Sequence, residues 1–297
     1  ISMKILLIAG YGRSGSTLLE ILLSKTLNAG AVGELKYIWQ RGFLEGQLCG
    51  CGEKLNECTF WKDVRINLAR SGRIEPEECE LTRKKTDRHS IHFKRRILRL
   101  PQAAYKIERR KYIDTLRSLY LAIWEESKVD LIIDSSKDPA HIDMVLEAFP
   151  EETYLLQLVR DSRAVAHSFA TPKQRTAIHW KTEMMDKVGP FRASVDWSFI
   201  NLATEHLPIP PERRKLLRYE DFIQHHQSQI DSIISWLNVP SNINSSFEHS
   251  VSGNPIRFDK DIIVKQDERW KTEQAIADRI LVSMLTFPLL KKYNYDL

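Results

Sequence analysis

The sequence lacks any long hydrophobic run. None of its 297 residues belongs to an apolar stretch of the roughly 18 to 20 residues that a membrane-spanning helix needs, and its start is too short for a secretory signal. We therefore expect a cytoplasmic protein, or a luminal domain trimmed of its membrane anchor. Internal repeats and low-complexity linkers are absent as well, so we expect a single domain over residues 1–297, with a helical excursion at about 65–128.

Cysteine is scarce, with four residues in the whole chain. Three of them cluster in the stretch LCGCGEKLNECTFW as Cys49, Cys51 and Cys58. The simplest expectation is three reduced thiols in a glycine-rich loop, and a disulfide or a partial metal site are the alternatives. A zinc site made from three thiolates would need a fourth ligand, and the neighbouring sequence offers none. We therefore expect no metal.

Neither sign of charge is in large excess. Lysine and arginine total 44 against 39 acidic residues, which gives a net charge of +5. This mild basicity suits an anionic ligand, a nucleic acid or an acidic surface without selecting one of them. The most basic stretch begins at Arg83 and reads RKKTDRHSIHFKRRILRL. It is interpreted as a solvated helix face, and binding of acidic acceptors is the alternative.

What the chain does have is an alternation of short strands and helices. Apolar runs over 4–9, 129–136 and 153–159 predict three buried strands, and the stretch RRKLLRYEDF predicts a further one. Helical patterns follow these strands, and Pro139 is well placed to open one of the helices. The alternation implies an α/β fold, namely a P-loop-like three-layer α/β/α arrangement with a mostly parallel sheet and extra helices.

A glycine-rich turn, GYGRSGST, lies between the first strand and the first helix. Such a turn presents backbone N–H groups to an anion at the helix N-terminus. A nucleoside-triphosphate loop, G-x-x-x-x-G-K-[ST], needs a lysine directly after its second glycine. Here Gly10 and Gly15 have the right separation, but Ser16 takes the lysine position and Arg13 supplies the cation. The loop therefore favours a phosphate ester other than ATP or GTP.

A second candidate anion site follows the strand at 153–159. The stretch LVRDSRAVAHS contains Arg160 at the end of the strand and Ser168 in the helix that follows. Two separate anion-binding segments suggest a ligand with phosphates at both ends. A dinucleotide fits less well, because the fingerprint G-x-G-x-x-G and its acidic ribose partner are missing.

In this order, the motifs resemble those of sulfotransferases that use 3′-phosphoadenosine-5′-phosphosulfate (PAPS). GRSGSTLL resembles the family's loop for the 5′-phosphosulfate, LVRDSRAVAHS its 3′-phosphate segment, and LLRYEDF a segment with a tyrosine near the nucleotide. The ending HSVSGNPIRF, then DERW, then LTFPLLKKYNY is similar to those of bacterial and carbohydrate-type members. One departure is Ser162, where a proline is more usual.

The resemblance implies PAPS as sulfuryl donor, 3′-phosphoadenosine-5′-phosphate (PAP) as product and a hydroxyl-bearing acceptor. It also implies which residues bind the nucleotide. These are Arg13, Ser14, Gly15, Ser16 and Thr17 at the 5′ end, Arg160 and Ser168 at the 3′ end, Tyr219 nearby, and Gly253, Asn254 and Arg257 as a flap over the nucleotide. For the last three residues a plain surface loop is the alternative.

For the chemistry, protein-tyrosine sulfotransferases resemble this chain in two motifs. They have a glutamate in a GE segment and a lysine in a KDP segment, which match Glu34 and Lys137. The resemblance implies that Glu34 is the general base and that Lys137, with Arg13, stabilises the transferring group. Small-molecule members use a histidine instead, so His141 and His167 are the rival bases. Glu34 could instead be purely structural, as a helix cap or in an ion pair, and Lys137 could instead be an ordinary helix-start lysine paired with Asp134 or Asp138.

The tryptophans are expected mostly in the core, but Trp39 lies close enough to Glu34 in the sequence to line an acceptor pocket, where a sugar or an aromatic ring could stack. The acceptor itself has no readable code, so carbohydrate, lipid, tyrosine and small-molecule hydroxyls all stay open. Two functions compete with sulfuryl transfer: a nucleotide-dependent kinase of the same broad fold, and a polyanion-binding protein acting through the basic stretch. For the favoured function we expect no nucleic-acid partner.

Overall fold

A parallel sheet forms the centre of the molecule. The computed structural model describes residues 3–72, 74–87, 103–240, 247–259, 262 and 264–296. Within them, five strands form one sheet in the order β2-β3-β1-β4-β5, and every pair of neighbours is parallel. The strands are β1 (Lys4–Ala9), β2 (Ala29–Gly33), β3 (Leu131–Lys137), β4 (Thr153–Val159) and β5 (Arg214–Arg218).

The central strand β1 explains why the sheet is covered on both sides. Its side chains alternate, so that Ile5 and Leu7 enter one hydrophobic cluster and Leu6 and Ile8 enter another. All four are fully or almost fully buried. A continuous apolar run of this kind is typical of a parallel strand with helices on both faces.

Helices form the two outer layers. The first cluster joins the sheet to α2 (Thr59–Ser71), α3 (Pro76–Thr86), α4 (Ala103–Ser127) and α5 (Pro139–Ala148). The second joins it to α1 (Ser16–Ser24), α8 (Tyr219–Gln224) and α9 (His226–Leu237). A third cluster packs α6 (Ser162–Ala170), α7 (Pro190–Glu205) and α11 (Ile276–Lys292) together, and α10 (Trp270–Glu273) contacts α6. The predicted three-layer α/β/α fold is confirmed.

The sequence missed one strand. β2 has the sequence AGAVG, whose small residues and two glycines have little strand propensity, yet all five residues are buried and pair with β3. The strands predicted second and third are therefore β3 and β4, and the bounds predicted for β1 and β4 are confirmed. Pro139 is the first residue of α5, as predicted. Helix α7 was not predicted.

The helical region after Gly72 differs from the expectation in its bounds. Helix α3 begins at Pro76 rather than near Arg83, and the predicted final helix is split into α10 and α11. Most of the basic stretch and the break at Pro101 lie outside the described residues, as do parts of the predicted loop at 241–261. Among the helices that are described, none combines the length and the apolar character needed to cross a bilayer.

Candidate active site

A cavity of about 520 Å³ lies where the carboxyl ends of the strands meet. The segment that follows each strand contributes to its wall. At the ends of β1 to β5, in that order, the wall includes Gly12, Glu34, Lys137, Arg160 and Tyr219; Lys137 is the last residue of its strand and the others follow theirs. Parallel strands all end at one edge of the sheet, and ligands of open α/β sheets bind beyond that edge.

The glycine-rich turn wraps the start of α1. Gly15 caps the helix with a φ of 90°, and a Cβ added there would lie 2.6 Å from the Tyr219 ring. Gly10 has a φ of 132°, and its Cβ would lie 2.3 Å from the Leu158 carbonyl oxygen. Both positions therefore require glycine. Arg13 also has a positive φ, of 67°.

Four of the five predicted residues in this turn line the cavity, namely Arg13, Gly15, Ser16 and Thr17. Ser14 differs, because its hydroxyl donates a hydrogen bond to the Tyr11 carbonyl at 2.7 Å and the residue is 2% exposed. Its side chain stabilises the turn instead of lining the cavity.

The second predicted anion site lies against the first. Arg160 donates a hydrogen bond from its guanidinium to the carbonyl of Arg13 at 3.0 Å, and the same guanidinium lies 4.5 Å from the centre of the Tyr219 ring. Asp267 is its ion-pair partner at 3.6 Å. Ser168, on α6, lines the same cavity. Two segments that are far apart in the sequence thus share one wall.

Glu34 and Lys137 form an ion pair inside the cavity. Lys137 Nζ lies 2.6 Å from Glu34 Oε1 and 3.3 Å from the Ser16 hydroxyl. The hydroxyl of Ser252 donates to the other carboxylate oxygen at 3.2 Å, and Arg41 lies 3.7 Å from it. Burial alone would raise the pKa of Glu34, but Lys137 and Arg41 outweigh it and hold the pKa below its usual value. Glu34 is therefore a carboxylate at neutral pH, able to accept a proton.

The loop 250–257 lies along the edge of β2 and reaches the cavity. Val251 donates to the Val32 carbonyl and accepts from the Glu34 N–H, both at 2.8 Å, and a Cβ on Gly33 would lie 2.3 Å from the Val251 oxygen. The loop then brings Gly253, Asn254 and Arg257 to the cavity wall.

Side-chain hydrogen bonds also hold this loop in place. The backbone N–H of Asn254 donates to the Thr17 hydroxyl at 3.3 Å, which ties the loop to α1. Arg257 donates to the carbonyls of Ser250 and Leu48, each at 2.7 Å, and burial lowers its pKa to about 10. The guanidinium of Arg257 therefore braces the loop as well as facing the cavity.

The rival bases lie away from the cavity wall. His141 is fully buried, with its ring nitrogens 3.1 Å from Asp134 and 3.3 Å from Asp87. His167 faces Glu273 at 3.4 Å. Trp39, expected near an acceptor pocket, is instead a core residue that is 1% exposed and donates to the Tyr112 hydroxyl at 3.2 Å. The acceptor-pocket prediction for Trp39 is wrong.

Several residues of the cavity were not predicted. Basic side chains on the wall outnumber acidic ones: the basic residues are Arg13, Arg41, Lys137, Arg160, Lys173, Arg175, Arg257 and Lys265, and the acidic ones are Glu34, Asp186 and Asp267. Burial and the charges of Arg13 and Arg160 lower the pKa of Lys173. Because the neighbouring cations make the protonated form of Lys173 less favourable, the electrostatic potential in the cavity is positive. Such a potential suits an anionic ligand. Lys173, Arg175 and Lys265 belong to segments without a recognisable motif, which is why no sequence pattern pointed to them.

A parallel α/β sheet, a glycine turn at a helix start and a basic cavity beyond the strand ends are typical of proteins that bind phosphate esters. The comparison with known families is more specific. A model of the sulfotransferase family matches residues 6–242, which is most of the chain. The chain therefore belongs to the sulfotransferase family, and the resemblance seen in its motifs is confirmed.

Solved structures agree at the level of the fold. The sulfotransferase domain from the curacin biosynthetic pathway is similar with a TM-score of 0.52 and 18% identity, over 100% of this chain and 99% of that one. Sulfotransferase STF9 from Mycobacterium avium has a TM-score of 0.52 and 12% identity, over 99% of this chain and 78% of that one. A search of curated proteins by sequence found no match.

Proposed function

We propose that this protein transfers a sulfuryl group from PAPS to a hydroxyl of a carbohydrate, a lipid, a tyrosine or a small molecule. Family membership and fold support sulfuryl transfer in general. The observation that carries the finer proposal is the Glu34–Lys137 pair, 2.6 Å apart, in the same cavity as Arg13 and Arg160. A proton acceptor, a cation and two anion-binding segments thus surround one space.

The nucleotide would be held at both ends. The turn with Arg13, Ser14, Gly15, Ser16 and Thr17 would bind the 5′ end through backbone N–H groups, the hydroxyls of Ser16 and Thr17 and one guanidinium. Arg160 and Ser168 would bind the 3′-phosphate. Tyr219, packed between Gly15 and the Arg160 guanidinium, would sit beside the nucleotide, and the loop with Gly253, Asn254 and Arg257 would cover it. No metal is needed in this scheme.

In the transfer, Glu34 would take the proton of the acceptor hydroxyl as that oxygen forms its bond to sulfur. The bond between sulfur and the 5′-phosphate oxygen breaks, and the electron pair leaves with PAP. Lys137 and Arg13 would stabilise the negative charge that grows on the bridging and terminal oxygens.

The ion pair has a role of its own in this scheme. At rest, Lys137 keeps the pKa of Glu34 low, which makes Glu34 a weak base. Lys137 also reaches the Ser16 hydroxyl at 3.3 Å, so it lies between the carboxylate and the start of α1. An anion bound at that helix start would draw Lys137 away from Glu34, raise the pKa of Glu34 and make it a stronger base when the donor is bound.

The test combines a binding measurement with a transfer assay. We expect PAP to raise the melting temperature, and labelled sulfate to pass from PAPS to at least one member of a panel of hydroxyl acceptors. Arg160→Ala should weaken PAP binding by about 10- to 150-fold, which corresponds to about 1.5 to 3 kcal/mol for charge-assisted hydrogen bonds. Arg110→Ala is the control, since Arg110 is an exposed arginine of α4. Tight binding of ATP with magnesium and none of PAP would contradict the proposal and favour a kinase.

A further inference from the structure

A second cluster of reactive side chains lies outside the cavity. Three of the four cysteines converge on a histidine that is distant in the sequence. Cys58 Sγ lies 3.3 Å from His249 Nδ1, Cys49 Sγ lies 3.9 Å from the same nitrogen, and the sulfurs of Cys51 and Cys58 are 3.8 Å apart. All four donor atoms lie within 4.8 Å of one another.

The three separations of 3.3 to 3.9 Å are close to those between the ligand atoms of a tetrahedral metal site, and the whole group, within 4.8 Å, would need to contract only slightly around an ion. With Zn–S bonds of about 2.3 Å and Zn–N bonds of about 2.0 to 2.1 Å, the ligand atoms of a tetrahedral zinc site lie about 3.4 to 3.8 Å apart. A disulfide would need two sulfurs about 2.05 Å apart, which none of the four cysteines shows. We propose that Cys49, Cys51, Cys58 and His249 bind one Zn²⁺ in a closed structural site.

The chain folds locally to present the three sulfurs. Residues 48 and 54 form an antiparallel bridge, and between them the Cys49 N–H donates to the Glu53 carbonyl and the Gly52 N–H to the Cys49 carbonyl. Gly52 turns this loop with a φ of 91°. Cys58 follows at the N-terminal cap of α2, where its position is fixed by the helix. The turn and the helix start together hold three thiols on one side of the ring of His249.

The histidine is oriented just as firmly. Its ring stacks on Phe60, with centres 4.9 Å apart and planes 14° apart, and meets the edge of Phe247 at 5.3 Å. The indole N–H of Trp61 donates to its carbonyl at 3.1 Å. These contacts keep Nδ1 pointing towards the sulfurs. The fourth ligand that the neighbouring sequence does not offer is thus supplied from 191 residues beyond Cys58.

The donor set indicates both the metal and its role. Three thiolates and one imidazole suit Zn²⁺, and four protein ligands leave no open position for catalysis. Bound by three thiolates and a neutral imidazole, Zn²⁺ would leave the site with a net charge of −1. Arg257, which donates to the carbonyls of Leu48 and Ser250 on either side of the cluster, places a positive charge next to it.

The site would also stabilise the cavity. His249 lies shortly before Val251, which pairs with β2, and before Ser252, whose hydroxyl donates to the Glu34 carboxylate. Gly50 fits against the same segment, because a Cβ there would lie 2.5 Å from the Glu248 carbonyl oxygen. Zinc would therefore link the loop with Cys49 and Cys51 to the segment 249–252, which orients Glu34. It would not take part in the reaction.

The first test is the metal content of the full chain, purified under reducing conditions. We expect one zinc per chain, lost in Cys58→Ser and in His249→Gln. Cys79→Ser is the matched control, since Cys79 is a buried free cysteine of α3 outside the cluster, and it should keep its zinc. Replacement of zinc by Co²⁺ should give the absorption bands of a tetrahedral thiolate site, and these should be absent in Cys58→Ser.

Several outcomes would overturn the proposal. A wild-type chain that is metal-free and takes up neither zinc nor cobalt has no such site. Iron in place of zinc, a Cys51–Cys58 disulfide found by mass spectrometry, or zinc retained in both ligand variants at the level of Cys79→Ser would each refute it. If the ligand variants do not fold, the metal content and the cobalt spectrum of the wild-type chain decide the question without them.

Discussion

The ammonium of Lys137 lies 2.6 Å from the carboxylate of Glu34, although 103 residues separate them along the chain. Strands β2 and β3 are neighbours, and Gly33 pairs with Asp134, so the two side chains leave the sheet at adjacent strand ends. Lys137 has a φ of 67°, and its Nζ also donates to the Ser135 carbonyl at 2.7 Å. The sequence left open a pairing of Lys137 with Asp134 or Asp138, but in the structure Lys137 pairs with Glu34.

Replacement of Glu34 by glutamine should separate binding from turnover. Glu34→Gln keeps the size of the side chain but removes the proton acceptor, so sulfuryl transfer should fall by about 100- to 10,000-fold. PAP affinity should stay the same or rise, because Lys137 loses a competing carboxylate. The measurement is a labelled-sulfate transfer rate beside a PAP titration, with the exposed Glu45→Gln as control. Transfer by Glu34→Gln at the wild-type rate would show that Glu34 is not the base.

The contact between Gly15 and Tyr219 predicts a second effect. Gly15→Ala should weaken PAP binding, because the new methyl group would meet the tyrosine ring at 2.6 Å and the residue would keep a φ of 90°. The free turn would relax to relieve this strain, and PAP binding would have to restore it, so a strain of about 1 to 3 kcal/mol corresponds to about 5- to 150-fold in Kd. Gly189→Ala is the matched control, since nothing lies within 4 Å of an added Cβ there. Equal PAP affinities for the two variants, measured by calorimetry, would mean that this turn does not hold the nucleotide.

Lys173 predicts how nucleotide binding depends on pH. Burial, Arg13 and Arg160 lower its pKa, and only the protonated lysine attracts a phosphate. PAP affinity should therefore fall as the pH rises through this lowered pKa, and PAP binding near that pH should be accompanied by proton uptake. In Lys173→Arg the side chain stays charged, so the alkaline loss of affinity should be smaller. Identical pH profiles for wild type and Lys173→Arg would exclude Lys173 as the source.

The residues that could be predicted from the sequence are those attached to strand ends. Glu34, Lys137, Arg160 and Tyr219 each follow or end a strand, and parallel strands bring such residues to one edge whatever lies between them. Arg160 was marked by its place at the end of a predicted strand. Glu34, Lys137 and Tyr219 were predicted from the resemblance to sulfotransferases, and the strand before Glu34 was missed. Fold class followed from the same alternation of strands and helices.

The rest depends on contacts that no local pattern encodes. Ser252 reaches Glu34 because the loop 250–257 pairs with the edge of β2. The small residues of β2 have little strand propensity, so the strand could not be predicted from its sequence. Because of the same pairing, His249 meets Cys58 across 191 residues. The prediction for Trp39 failed for a different reason. Trp39 is close to Glu34 in the sequence, but its side chain is buried in the core and does not face the cavity.

Behind the cavity, His141 predicts how the stability of the fold depends on pH. Burial alone would lower the pKa of this histidine, but its hydrogen bond to Asp134 and the nearby carboxylate of Asp87, 3.3 Å away, outweigh burial and raise the pKa to about 9. Lys36 also pairs with Asp87, and Tyr120 donates to Asp134, so the histidine belongs to a buried network. The ring is thus part of the packing that joins α5 to β3.

A histidine whose pKa is raised by folding stabilises the fold most at low pH. Its contribution should be complete below the unfolded value of 6.5 and should disappear as the pH rises through about 9. In His141→Asn this slope should be missing, and the variant should be less stable at pH 6, because the two carboxylates lose their cation. Free energies of unfolding from urea titrations between pH 6 and 10 would measure the difference. A wild-type free energy that falls no more steeply than that of His141→Asn over this range would mean that the buried histidine is neutral.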